Sequence, residues 1–104
     1  MKQIPKRVMI VSFDAVGAKD LEYLQTLPNF QRFFEQAALC SHVNSVCPSL
    51  TYPAHTSIVT GRMPKNHGIV NNTKIQPGRK DPDWLYHRKW IRSTTLYDEA
   101  KKKG

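Results

Sequence analysis

Two oxygen-bearing side chains, far apart along the chain, are the first that suggest chemistry. Asp14 closes the short run Val8-Met9-Ile10-Val11-Ser12-Phe13. A carboxylate at the C-terminal end of a first strand stands where open α/β sheets bind their ligands. Thr51 lies at or just before a helix start signalled by Pro53. There its hydroxyl would sit beside unpaired backbone N–H groups and the positive end of a helix dipole, a natural anion site. A divalent metal bridging the two would make the hydroxyl a feasible alkoxide nucleophile at neutral pH. Backbone amides and a neighbouring amide side chain would then hold the charge that develops on a phosphoryl group. An Asp after a strand and a Thr before a helix each occur in many α/β proteins, so the pair gains meaning only from its surroundings.

The elements that must position the pair read as strand alternating with helix. Residues 6–13 are largely apolar and rich in β-branched side chains, as in a strand buried on both faces of a parallel sheet. Gly17 then loosens the backbone. Between Leu21 and Ala38 the apolar positions Leu24, Leu27, Phe30, Phe33, Phe34 and Ala37 recur every three or four residues, a helical face that Pro28 breaks in two. Asn29 is a weak cap candidate. Val43 to Val46 offers a second short strand ended by Pro48. Pro53 suits the first turn of a helix running through Ala54 to Thr60, and Gly61 suits the position just past its end. Residues 62–92 are rich in turn signals, among them Pro64, Gly68, Pro77-Gly78 and Asp81-Pro82. From Ser93 to Gly104, hydroxyls, then acids, then three lysines describe a helix with its caps and dipole charges in favourable places. A further strand is expected after such a helix, so the 104 residues are expected to be the N-terminal piece of a longer protein.

Composition narrows the class. The hydrophobic fraction of 39% and charged fraction of 23% argue against both a disordered chain and a membrane-spanning one. Cys40 and Cys47 are too few for a disulfide-stapled fold and read as buried, reduced thiols in a cytoplasmic protein. The net charge is +8, and it is uneven: residues 1–60 carry five basic and four acidic side chains, residues 61–104 eleven and four. With Trp84, Tyr86 and Trp90 interleaved among Arg88, Lys89 and Arg92, a basic nucleic-acid-binding module is one alternative function. Packing is the plainer role for those three aromatics, and the Lys101-Lys102-Lys103 run reads as a solvated helix end.

The longer string around Thr51 is more specific. Pro48-Ser49-Leu50-Thr51-Tyr52-Pro53-Ala54-His55-Thr56-Ser57-Ile58-Val59-Thr60-Gly61, followed by Met63-Pro64-Lys65-Asn66-His67-Gly68-Ile69-Val70-Asn71-Asn72, closely resembles the nucleophile region of the type I phosphodiesterase/nucleotide pyrophosphatase family, within the alkaline phosphatase superfamily. The Val-Met-Ile-Val-Ser-Phe-Asp run looks like that family's first metal-binding strand, and the final Leu-Tyr-Asp-Glu-Ala-Lys-Lys-Lys-Gly like the helix before its next strand. Residues 73–92 match poorly. The resemblance implies an α/β/α sandwich of the alkaline-phosphatase-like type, of which this chain is the N-terminal part. It implies that Asp14 and Thr51 ligate one of two zinc ions, that Thr51 attacks phosphorus to form a phospho-threonine, and that the Asn72 amide contacts a phosphoryl oxygen.

The sequence also departs from that pattern. The family usually has an acid before the asparagine, whereas Asn71 stands here. Further Asp and His ligands come from much later in family chains, and zinc wants about four ligands. Asp14 and Thr51 supply two, so these residues alone are expected to be inactive. Asp83 and His87 have ligand-like spacing but lie in a loop-like basic stretch and read as a decoy. His55 and His67 read as structural. A sulfatase is excluded, because Cys47-Pro48-Ser49-Leu50-Thr51 fails the Cys-x-Pro-x-Arg requirement. The expected function is metal-dependent hydrolysis of a phosphodiester or pyrophosphate bond in a small, nucleotide-type substrate. A phosphonate or phosphomonoester hydrolase of the same superfamily is the alternative enzyme.

Overall fold

The computed structural model describes residues 7–104. These fall into two compact units, divided between Val43 and Asn44.

In the first unit, residues 7–13 carry no regular secondary structure. The part of the expected first strand at Lys6 lies outside the described residues. Val8, Val11 and Phe13 are all exposed. The chain then turns at Ala15, whose φ of 59° is left-handed, with the Asp14 carboxylate accepting the Ala15 N–H at 3.0 Å. A single 3₁₀ turn, Ala18–Asp20, is closed by Asp20 Oδ2 accepting the Gly17 N–H at 2.7 Å. It leads into α1 (Leu21–Thr26), and Pro28 opens α2 (Pro28–Phe34) after Leu27 turns extended. The break at Pro28 is the expected one, since proline suits a first helical position and removes a donor that an uninterrupted helix would need. Asn29 lies inside α2 rather than capping it; its side chain accepts from Arg32 Nη2 at 2.6 Å. Leu24, Leu27, Phe30, Phe34 and Ala37 are half-buried as their spacing predicts, while Phe33 is exposed. Phe30 packs between Phe13 and Phe34, with ring centroids 6.4 and 6.2 Å away.

The second unit holds the well-buried positions. It comprises α3 (Thr51–Thr60), α4 (Pro64–His67), a 3₁₀ turn at Arg88–Trp90 and α5 (Leu96–Lys102). Gly61 ends α3 at φ 62°, its N–H donating to the Ser57 carbonyl at 2.8 Å, as the glycine signal predicts. Pro53 and Thr56 from α3, Pro64 and His67 from α4, and Ile69 and Thr95 are buried together as this unit's core. Gly68 follows α4 at φ 84°, and a Cβ there would meet Arg92 Cδ at 3.0 Å, so both backbone and space call for glycine. A bridge pairs Thr73 with Trp84 in antiparallel sense. Flanking it, Lys74 N–H donates to the Asp83 carbonyl and Leu85 N–H to the Asn72 carbonyl, each at 2.8 Å.

Two sequence expectations are corrected. Among the described residues neither 7–13 nor Val43 to Val46 forms a strand, and the Thr73–Trp84 bridge is the one strand-type pairing. A strand exists only when neighbours take its N–H and C=O groups, and apolar patterning reports fitness for a sheet without supplying those neighbours. Cys40 and Cys47 are exposed free thiols rather than buried ones, because the stretch around them has no regular element to cover it. No helix among the described residues is long and apolar enough to cross a membrane.

The caps of α5 are as the sequence predicts and go further. Thr95 Oγ1 accepts the Asp98 N–H at 3.2 Å while Asp98 Oδ2 accepts the Thr95 N–H at 2.7 Å, a reciprocal cap. Arg88 donates to the same carboxylate oxygen and to the Ile91 and Ser93 carbonyls, tying the preceding loop to the helix start. The Arg88 hydrogen bond, followed by those from Thr95, lowers the Asp98 carboxyl from 3.8 to about 2. A depressed carboxyl stabilises the fold above its unfolded value, and that contribution is lost as pH falls through the folded value. Acid unfolding of the second unit should therefore contain a component between about pH 4 and pH 2 that Asp98→Asn removes. Thr95→Ala should cost about 1–2 kcal/mol in urea unfolding at neutral pH. An acid profile unchanged in Asp98→Asn would contradict the assignment.

Candidate functional site at the start of α3

Thr51 is the first residue of α3, and its helix end has few backbone donors to offer. Ala54 N–H is taken by the Leu50 carbonyl at 3.0 Å, and Pro53 has no N–H. Leu50, the N-cap, adopts an extended conformation and has no side chain that caps. The cap comes instead from twenty residues away: Asn72 Oδ1 accepts the Tyr52 N–H at 2.9 Å. That bond fixes the amide's orientation, with its oxygen on the helix end and its NH2 group as the donor. Thr51 and Asn72, both selected from sequence, are thus brought to one place.

Local contacts hold each partner. His55, one turn along α3, has Nδ1 at 2.8 Å from the Thr51 carbonyl. A carbonyl only accepts, so this nitrogen carries the proton and the ring braces the first turn. Asn71 Oδ1 accepts the Asn72 N–H at 2.8 Å. The residue that departs from the family's usual acid therefore still serves as an acceptor, without the negative charge. Trp84, half-exposed, meets the edge of Tyr52 at a centroid distance of 5.6 Å, linking the bridge to the same first turn.

Several other titratable groups of this unit are engaged within the fold. Asp83 accepts from Lys74 at 3.1 Å and pairs with Arg79 at 2.8 Å, and the Lys74 hydrogen bond leads in holding its carboxyl below the usual range. Asp83 and His87 do not share a helix, in keeping with their reading as a decoy. With Arg88 on Asp98 and Lys102 on Glu99, several cations of the basic half are paired within the fold. His67 is fully buried, with Nε2 2.9 Å from Ser57 Oγ and Nδ1 3.1 Å from the Ile69 nitrogen. Its burial was not legible in the sequence; an isolated His before a glycine carries no pattern that announces a core position.

Asp14 sits in the first unit, exposed, in the turn that follows residues 7–13. One oxygen accepts from Ala15; the other remains as a donor atom for a cation. Among the described residues no group of three or more His, Cys, Asp or Glu side chains is arranged to hold a metal ion. Asp14 and Thr51 are each a hard oxygen donor of a kind divalent ions take, one in each unit, and zinc usually takes about four ligands.

Residues 8–104 match the type I phosphodiesterase / nucleotide pyrophosphatase family, and the chain belongs to it. It is similar to the mouse bis(5'-adenosyl)-triphosphatase enpp4, 37% identical over 89 residues that cover 75% of this chain and 19% of that protein. The human ectonucleotide pyrophosphatase/phosphodiesterase family member 5 is 33% identical over 95 residues, covering 91% of this chain and 20% of that protein. The chain thus spans about a fifth of the length of these relatives. No solved structure matches it.

Burial holds the His67 imidazole below its ordinary value of 6.5, against the opposing effect of a hydrogen bond to the Pro53 carbonyl. Below about pH 6.5 the unfolded chain therefore binds more protons at this position than the native one, and stability falls as pH falls. Thermal melts between pH 7.5 and 5, both approximate ends of the window in which histidine charges, should show a decline that flattens in His67→Gln. An equal decline in that variant would contradict it.

Proposed function

We propose that this chain carries the nucleophile of a hydrolase acting on phosphodiester or pyrophosphate bonds of nucleotide-type substrates. The observation that carries the reading is the Asn72 amide held 2.9 Å from the Tyr52 nitrogen, at the same helix end as Thr51. Family membership and the names of the relatives support it, since these proteins are described as nucleotide pyrophosphatases, phosphodiesterases or a bis(5'-adenosyl)-triphosphatase.

In this reading Thr51 Oγ1 gives up its proton to solvent, from which the leaving oxygen regains one, and attacks phosphorus. The new O–P bond forms as the bond from phosphorus to the leaving oxygen breaks, and the leaving group departs with that electron pair. The product is a phospho-threonine, still esterified to a nucleoside when the substrate is a nucleotide diester. Water then attacks the same phosphorus and restores the Thr51 hydroxyl. The Asn72 NH2 group donates to a phosphoryl oxygen as charge builds, a role suited to an amide whose orientation is already set by Tyr52. His55 holds the Thr51 carbonyl, so the nucleophile's backbone does not shift with the reaction. Asp14 and Thr51 would hold a divalent ion, zinc in our reading, with a second ion bound beyond these residues. When bound, such an ion supplies Lewis-acid charge that makes a threonine alkoxide accessible at neutral pH.

We place the chain as the N-terminal part of a single alkaline-phosphatase-like domain, an α/β/α sandwich. Residues 7–13 and Val43 to Val46 would become strands when other strands of that sheet pair with them. By itself the 104-residue chain would be inactive, for want of metal ligands. A phosphonate or phosphomonoester hydrolase would use the same helix end; relative rates on monoester, diester and phosphonate substrates separate these.

In the full-length protein, Thr51→Ala should abolish hydrolysis of a chromogenic nucleotide diester, and Asn72→Ala should lower kcat by about 10²–10³-fold, as loss of one oxyanion donor does. Chelation should remove activity and zinc should restore it. Near wild-type turnover by Thr51→Ala would refute the proposal.

A further inference from the structure

We infer that His67 is a positioning residue of this site: it fastens the 67–72 loop to α3 and thereby sets the Asn72 amide against the turn that carries Thr51. The inference rests on the functional reading of Thr51 and Asn72 given above. His67 is 0% exposed and attached on three sides. Ile69 N–H donates to Nδ1 at 3.1 Å, so in the neutral ring that nitrogen has no proton and Nε2 carries it. Nε2–H accordingly faces two acceptors on α3, Ser57 Oγ at 2.9 Å on its second turn and the Pro53 carbonyl on its first. The His67 carbonyl accepts the Arg92 N–H at 2.9 Å.

This tautomer also settles what Ser57 is not. A histidine that activates a serine must present an unprotonated nitrogen to it, and here that nitrogen faces Ile69. The Ser57–His67 pair is a fastening rather than a second nucleophile.

The fastening bears directly on Asn72. Ile69, 1% exposed, is locked into the core, and only Val70 and Asn71 separate it from Asn72. The loop is therefore joined to α3 twice, by His67 at Ser57 and by Asn72 at Tyr52, positions about 7.5 Å apart along the helix axis. On its other side the Asn72 carbonyl accepts Leu85 N–H at 2.8 Å. If the His67 attachment is lost, the loop retains the bridge on one side and is left with the Tyr52 bond as its single attachment to the helix on the other. The amide donor then drifts relative to the Thr51 hydroxyl. No contact of His67 with the reacting atoms is involved.

The test uses the full-length protein, labelled with ¹⁵N at histidine and tyrosine. Wild-type His67 should show the Nε2–H tautomer, and the Tyr52 amide resonance should move in His67→Gln, which keeps a donor toward Ser57 but offers no acceptor to Ile69. On a chromogenic nucleotide diester, His67→Gln should lower kcat by about 10–100-fold with KM changed by less than about threefold, as for a misplaced catalytic group. In an Asn72→Ala background the same change should cost less than about twofold more, because the two residues act through one contact. An Nδ1–H tautomer, an unmoved Tyr52 amide, or fully additive losses would each overturn the inference. The two spectroscopic readouts need no turnover, so a failed functional reading, reported by an active Thr51→Ala, is distinguishable from a misassigned His67.

Discussion

A single hydrogen bond organises the second unit around its candidate chemistry: the Asn72 side-chain oxygen on the Tyr52 N–H. Helix starts carry orphan donors that something must satisfy. The usual remedy is a Ser, Thr, Asp or Asn just before the first turn, yet Leu50 occupies that place. The distant asparagine that takes over the role must be held in register, and much of the surrounding structure serves that need. His67 and Ile69 anchor the loop on one side, the Thr73–Trp84 bridge on the other, and Asn71 supports the Asn72 backbone. A cap supplied this way brings an amide donor to the residue that opens the helix, which a local cap would not.

The arrangement also suits the charge that the family's chemistry moves. A helix start already favours an anion, and Asn71 and Asn72 add acceptors and donors without adding negative charge beside it. Four of the eleven cations of residues 61–104 are in ion pairs within the fold, Lys74 and Arg79 with Asp83, Arg88 with Asp98 and Lys102 with Glu99. Those pairs fasten local structure, so part of this region's positive charge has a structural use.

What could be read from sequence followed how local each feature's cause is. The proline and glycine that bound α3, the break at Pro28 and the caps of α5 act within a turn or two, and all were legible, whereas the distant cap on the start of α3 is not a local feature. The pairing of Thr51 with Asn72 became legible through a long motif, not through spacing. The two expected strands were not realised among the described residues, because a strand depends on partners that an apolar run such as Val8-Met9-Ile10-Val11 cannot specify. His67 read as structural from the sequence, but its complete burial and the engagement of Asp83 were not legible, because both lie in contacts with Ser57, Ile69, Lys74 and Arg79 rather than in neighbours along the chain. Asp14 belongs to the unit whose side chains are least buried, and its role rests on the family and on the oxygen it leaves to a cation.

The claim on which the account turns is that Thr51 forms a bond to phosphorus. Rapid acid quenching of the full-length protein during turnover of a nucleotide diester, followed by peptide mass spectrometry, reads this directly. The account predicts a nucleotidyl or phosphoryl adduct on the peptide that contains Thr51, localised to that side chain and absent from Thr51→Ala. Turnover without any adduct on that peptide under quenching conditions that preserve phospho-threonine, or an adduct on another residue, would contradict it.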